Sequence, residues 1–197
     1  MSYLSRRKKI VISFIVVIIA GYAFARFWQG TRIPQDFSDA RLRGAAIAAN
    51  IVTLSTQSTN DLTKVNEYDK QADYTNALTL TTDLVVRSQE IRNQAIDLSK
   101  QIGKMTEALP SISSPDARQA ALESISSRLA LVNQLINYSN DLGSLLNTLR
   151  DRFIGNPTPA GRVQMLVDQI NTDVTAVNNF NAQATQAMAR FDAIMAK

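Results

Sequence analysis

Residues 74–109 read YTNALTLTTDLVVRSQEIRNQAIDLSKQIGKMTEAL. Within this stretch Ala77, Thr81, Leu84, Ser88, Ile91, Ala95, Leu98, Ile102, Met105 and Leu109 advance by alternating steps of four and three without a fault. That rhythm places them on one stripe of a long helix, at the spacing with which helices pack side by side. Strict polar–apolar alternation, the mark of a half-buried strand, is absent here and elsewhere in the chain. Pro110 sets the end, because the residue before a proline is pushed out of helical conformation.

The same pattern extends in both directions. Upstream, a helix is expected over 36–66, capped by Asp36 with Asp39 in its first turn. Its apolar set is Leu42, Ile47, Ile51, Leu54, Leu62 and Val65, the least regular of the series. Downstream, Ser114 and Pro115 form a cap followed by proline at the first helical position. They open a helix over 115–153 with Ala121, Ile125, Val132, Leu135, Leu142, Leu146, Leu149 and Phe153 on its seam, widened by Leu122, Leu129 and Ile136. Gly155 suits the left-handed C-terminal cap. A fourth helix, over 159–196, repeats the cap-plus-proline device at Thr158 and Pro159. Its seam is Val163, Val167, Ile170, Val174, Val177, Asn181, Ala184, Met188, Phe191 and Met195. Short turns at 67–73, 110–114 and 154–158 make consecutive helices antiparallel neighbours. The expected fold class is all-α: an N-terminal transmembrane helix followed by a long antiparallel up-down-up-down four-helix bundle, with helices crossing at about 20°. A three-helix arrangement is the alternative if the first helix docks loosely.

The N-terminus is of a different kind. Residues 10–25 read IVISFIVVIIAGYAFA, and Phe27 and Trp28 lengthen the apolar run to about 19 residues if Arg26 snorkels to the interface, against about 20 needed to cross a bilayer. Tyr22, Phe27 and Trp28 fit an interfacial aromatic belt, and Arg6, Arg7, Lys8 and Lys9 place the preceding residues in the cytoplasm. The organisation expected is a basic cytoplasmic tail (1–9), a signal-anchor helix in the lipid bilayer (10–28), a hinge (29–35) and an extracytoplasmic bundle (36–197). The alternative is a signal peptide cleaved after Ala25, since Ala23-Phe24-Ala25 forms an A-x-A site; that leaves a secreted or periplasmic domain. Ser5-Arg6-Arg7 resembles a twin-arginine signal, but Lys8-Lys9 and the strongly apolar run that follows depart from it. Gly21 and Ala25 form a small-xxx-small pair through which a homo-oligomer is possible.

Composition narrows the chemistry. Of 21 Lys and Arg, five (Arg6, Arg7, Lys8, Lys9 and Arg26) flank the apolar run; the remainder leaves 16 positive charges against 17 negative. The domain therefore lacks the positive footprint that nucleic-acid binding requires. Cysteine and histidine are both absent, which removes thiolate chemistry, the commonest general base and the commonest transition-metal ligand. Phosphate-binding and nucleophile-elbow motifs do not occur. Carboxylates are scattered, and none lies on the seams of the second, third or fourth helix. Catalytic, cofactor and metal sites are accordingly expected to be none, and ligand-binding residues unknown.

Residues 72–78, ADYTNAL, resemble the opening of the second helix of a tetratricopeptide repeat. Thr81 and Leu84 fill its later positions and no copy follows at a 34-residue period, so the segment reads as a helix start. Asn137-Tyr138-Ser139 matches a glycosylation sequon but falls inside a helix. Thr81, Ser88, Ser139 and Asn181 are polar seam positions, where hydroxyls are expected to bond back to the carbonyl four residues earlier and Asn181 to fix register.

The function expected is that of a membrane-tethered structural or protein-interaction module of the cell envelope, with a protein partner and no catalysis. The alternative is a ligand-sensing or solute-binding bundle. The layout resembles the extracytoplasmic four-helix sensor domains of chemoreceptors; those receptors cross the membrane a second time, so this chain would need a separate signalling partner. A third reading, an amphipathic helix lying on lipid, fits poorly with the near-neutral charge.

Overall fold

A computed structural model describes residues 33–197. The anchor, the cleavage site and the small-residue pair fall outside the described residues. Four long helices make up the domain: α1 (Gln35–Lys70), α2 (Tyr74–Ala108), α3 (Pro115–Phe153) and α4 (Arg162–Met195), with a 3-10 turn, Leu109–Ser111, between α2 and α3. Among the described residues there is no strand, and no helix is long and apolar enough to cross a membrane.

Neighbouring helices run antiparallel, as the residues they pair make plain. Asp61 of α1 meets Arg87 of α2, Ser88 of α2 meets Ser139 of α3, and Ser124 of α3 meets Ala184 of α4. At the opposite end of the α2–α3 pair, Tyr74 stacks on Phe153 with ring centroids 5.9 Å apart. Consecutive helices pack along their lengths, whereas α1 and α4 approach less closely and meet through long side chains. That closure lies at one end, where Phe37 packs on Phe191 at 5.1 Å and Arg41 grips Asp192. The first helix is thus part of the bundle, and eight of its residues are buried.

The α2 seam lies inside at every position. On α3 and α4 most seam residues are buried, with Leu149, Val163, Val167 and Met195 partly so. Three apolar positions go the other way. Leu42 is 58% exposed, Leu122 43% and Leu129 44%. The buried stripe of α1 runs through Phe37, Ala40, Arg41 and Gly44, so Leu42, one residue past Arg41, is rotated by roughly 100° onto the outer surface. On α3 the stripe through Ala121, Ser124, Ile125 and Arg128 excludes Leu122 and Leu129 in the same way.

The helix ends correct several expected boundaries. Helix α1 continues to Lys70, leaving 71–73 as the turn, because residues 67–70 contain neither Gly nor Pro and Tyr68 packs against the core. Its N-cap is Pro34, with Asp36 in the first turn. Ala72 turns the chain with φ +56°, and Asp73 caps α2 by accepting from the Asn76 backbone N–H at 3.2 Å. Ser114 caps α3 as expected, accepting from the Ala117 N–H at 3.3 Å. The α3 C-terminus is a Schellman motif: Gly155 at φ +83° donates to the Arg152 carbonyl at 3.1 Å and Asn156 donates to that of Asp151 at 2.9 Å. Thr158 and Pro159 do not open α4. Gly161, left-handed at φ +78°, occupies the N-cap, and the first helical bond runs from the Met165 N–H to its carbonyl.

Candidate functional site

One turn of α3 reaches all three other helices. Tyr138 bonds Ser55 of α1, the Ser139 hydroxyl donates to the Ser88 carbonyl of α2 at 2.5 Å, and Asp141 lies within hydrogen-bond reach of Asp173 on α4. Helical geometry explains the reach, since side chains at successive positions point about 100° apart and so address different neighbours. Tyr138 is fully enclosed, and burial pushes its phenol well above the usual range while the Ser55 bond works the other way. The hydroxyl of Ser58 sits nearby on α1 and is satisfied by its own Leu54 carbonyl at 2.8 Å.

Asp173 is the outlier in this layer. Its residue is 2% exposed and its Oδ2 finds no hydrogen-bond partner among the described residues. Burial pushes its carboxyl up to about 6; Asp141 adds to the rise, and a bond from Gln169 opposes it. The expected absence of carboxylates from the seams therefore fails at α4, where Asp173 stands between Ile170 and Val177 on the buried face.

A second polar cluster lies nearer the closed end. Arg41 makes a two-pronged pair with Asp192, Nη1 to Oδ1 at 2.6 Å and Nη2 to Oδ2 at 2.8 Å. Arg128 is also buried and donates through Nε to Ser124 Oγ at 3.2 Å, while that hydroxyl donates to the Ala184 carbonyl at 2.9 Å. Burial, with Arg41 nearby, lowers the Arg128 guanidinium to about 9. Sequence reasoning missed both arginines. The available signal was positional, because Arg41 and Arg128 each lie on the buried stripe of their helix, where a cation needs a partner.

The four polar seam positions divide. Thr81 bonds back to Ala77 at 2.7 Å as expected. Ser88 bonds three residues back, to Val85, and Ser139 does not bond back at all but ties α3 to α2. Asn181 is only half-buried. The sequon lies within α3 with Tyr138 in the core.

On the surface, α3 and α4 flank an open groove of about 480 Å³ lined by Gln119, Glu123, Ser127, Gln183, Gln186 and Arg190 among others. Glu123 and Arg190 are ion-paired across it. Bonds from Gln119 and then Arg190 hold the Glu123 carboxyl below its ordinary value. Among the described residues no group of three or more acidic side chains is placed to hold a metal ion.

Fold and interior together define an antiparallel four-helix bundle cross-braced by polar contacts. No family model matches the chain, and no curated protein or solved structure matches it.

Proposed function

We propose that this chain is a membrane-tethered, extracytoplasmic helical bundle that serves as a structural or protein-interaction module of the cell envelope and carries out no catalysis. The observation supporting this most directly is how the interior polar groups are used. Tyr138, Ser139, Ser124 and Arg41 each tie one helix to another rather than surrounding a cavity. Such bracing favours a stiff rod, roughly 50–58 Å long for helices of this length, over a vessel for chemistry. Residues 10–28 supply the tether, and the basic residues 6–9 hold the N-terminus on the cytoplasmic side.

The test is mass determination of the mature protein in fractionated cells, with protease added to spheroplasts. An intact N-terminus in the membrane fraction and a domain digested from outside are expected, followed by recovery of a reproducible partner after crosslinking in cells. A soluble chain beginning at Arg26 would overturn the tether.

The groove between α3 and α4 favours one second reading, a solute-binding bundle, because its Gln and Ser side chains offer donors and acceptors to a small polar ligand. A thermal-shift screen against polar metabolites separates the two: ligand binding blocked by Gln186→Ala supports the second, and a flat response removes it.

A further inference from the structure

The Asp141–Asp173 contact places two carboxyl groups in one seam, with no cation among the described residues acting on Asp173. Asp173 is enclosed between α3 and α4, its Oδ2 is unpartnered, and Asp141 is in reach from the opposite helix. On its own helix the polar neighbour is Gln169. From α1 the closest charged residues along the chain to the polar layer are Asp61 and Lys64, and from α2 Arg87; these three are bound to one another, Lys64 at 3.0 Å and Arg87 at 2.8 Å from Asp61. Of these groups, only Asp141 and Gln169 act on Asp173. Two ionised carboxylates held this close repel each other, and Asp173 has left water with only the Gln169 bond to offset the loss. A proton on Asp173 removes the repulsion and supplies the donor that the unpartnered Oδ2 lacks.

We propose that Asp173 holds a proton against Asp141 across the α3–α4 seam and so acts as a pH-operated latch, closed while the proton is present and loosened when Asp173 ionises. The direction follows from linkage. An acid whose folded-state value lies above its unfolded value binds more protons when folded, so stability is greatest in acid and is lost as pH rises through the folded value. Here the window runs from the ordinary 3.8 to about 6, and the folded-to-unfolded ratio falls by up to about 100-fold across it, at tenfold per unit. The tether reading is not needed for this inference.

The experiment uses the full chain in detergent, with thermal unfolding followed from pH 4.5 to 8 for the wild type, Asp173→Asn and Asp141→Asn. In the wild type the midpoint is expected to fall from pH 4.5 to about 6 and to level off above it. Asp173→Asn, which mimics the protonated form, should remove that drop and unfold later than wild type at pH 7.5, and Asp141→Asn should reduce it. Hydrogen exchange at pH 7.5, corrected for intrinsic rates, should show lower protection around residues 138–145 and 169–177 in the wild type than in Asp173→Asn. A wild-type profile that is flat through pH 6, or one whose drop survives in both variants, overturns the latch.

Discussion

Tyr138 brings a hydroxyl into the buried polar layer and finds Ser55 there. Removing it with Tyr138→Phe strands a buried serine, at a cost of about 1–2 kcal/mol; urea unfolding of the full chain should show a lower midpoint with an unchanged slope. Arg41 poses the opposite problem, since its partner is left charged when it goes. Arg41→Ala should destabilise by about 3–5 kcal/mol, while Arg41→Met combined with Asp192→Leu should come close to wild type, because the pair's attraction is offset by the cost of drying both ions. Thermal midpoints of Arg41→Ala and of the double variant decide this. Position alone hinted at the core for both arginines, Arg128 filling the step between Ile125 and Val132, but periodicity reports where apolar side chains recur and cannot tell an inward cation from an outward one. The partner that makes Arg41 tolerable, Asp192, is 151 residues away.

Helix α2 was read almost completely from its spacing, because its stripe keeps an unbroken three-four rhythm from end to end, while Val86 and Ile96 fall outside it and stay exposed. Helix α1 was harder. Its Ser and Thr hydroxyls bond back to carbonyls four residues earlier at Thr53, Thr56, Ser58, Thr59 and Thr63, and so cost the helix little while blurring its pattern. The ends were legible where a glycine or a serine cap stands alone, as at Ser114 and Gly155. They were not legible where Thr158 and Pro159 offered an early start and the left-handed Gly161 set a later one. These backbone positions give a matched set of outcomes. Gly155→Ala puts a side chain at φ +83° and should cost about 1–2 kcal/mol, although no heavy atom lies within 4 Å of the added carbon. Gly103→Ala, inside α2 with equally open space, should instead stabilise by about 0.5–1 kcal/mol. Ala72→Gly relieves a left-handed alanine in an exposed turn and should raise stability by up to about 1 kcal/mol. Chemical denaturation of the three variants side by side reads all the signs at once.

At the scale of the whole molecule, the layout itself is measurable. The chain contains no cysteine, so paired cysteines can be introduced for spin labels without background. Labels at Ser38 and the exposed Ala193 should lie within roughly 20 Å of each other, since Phe37 and Phe191 close by are in ring contact. Labels at Ser38 and Asp73 should lie about 50 Å apart, the length of one helix. A short distance for the second pair would contradict four extended helices. The number of helices, their order and their antiparallel sense all followed from punctuation and period. The cross-braced interior did not, because it depends on which turn of α3 faces which neighbour, and that is settled only when all four helices are assembled.

The pin between Phe37 and Phe191 brings the start of α1 beside the end of α4. A bundle whose first and last helices meet at one end is topologically a near-closed ring, and its opening is movable. A circular permutant that joins Lys197 to Gln35 through a few glycines, with new ends cut in the exposed turn at 71–72, should fold to the same bundle. Under the proposed tether, residues 1–34 attached at the opposite pole would turn the rod end for end on the membrane while leaving its sides unchanged.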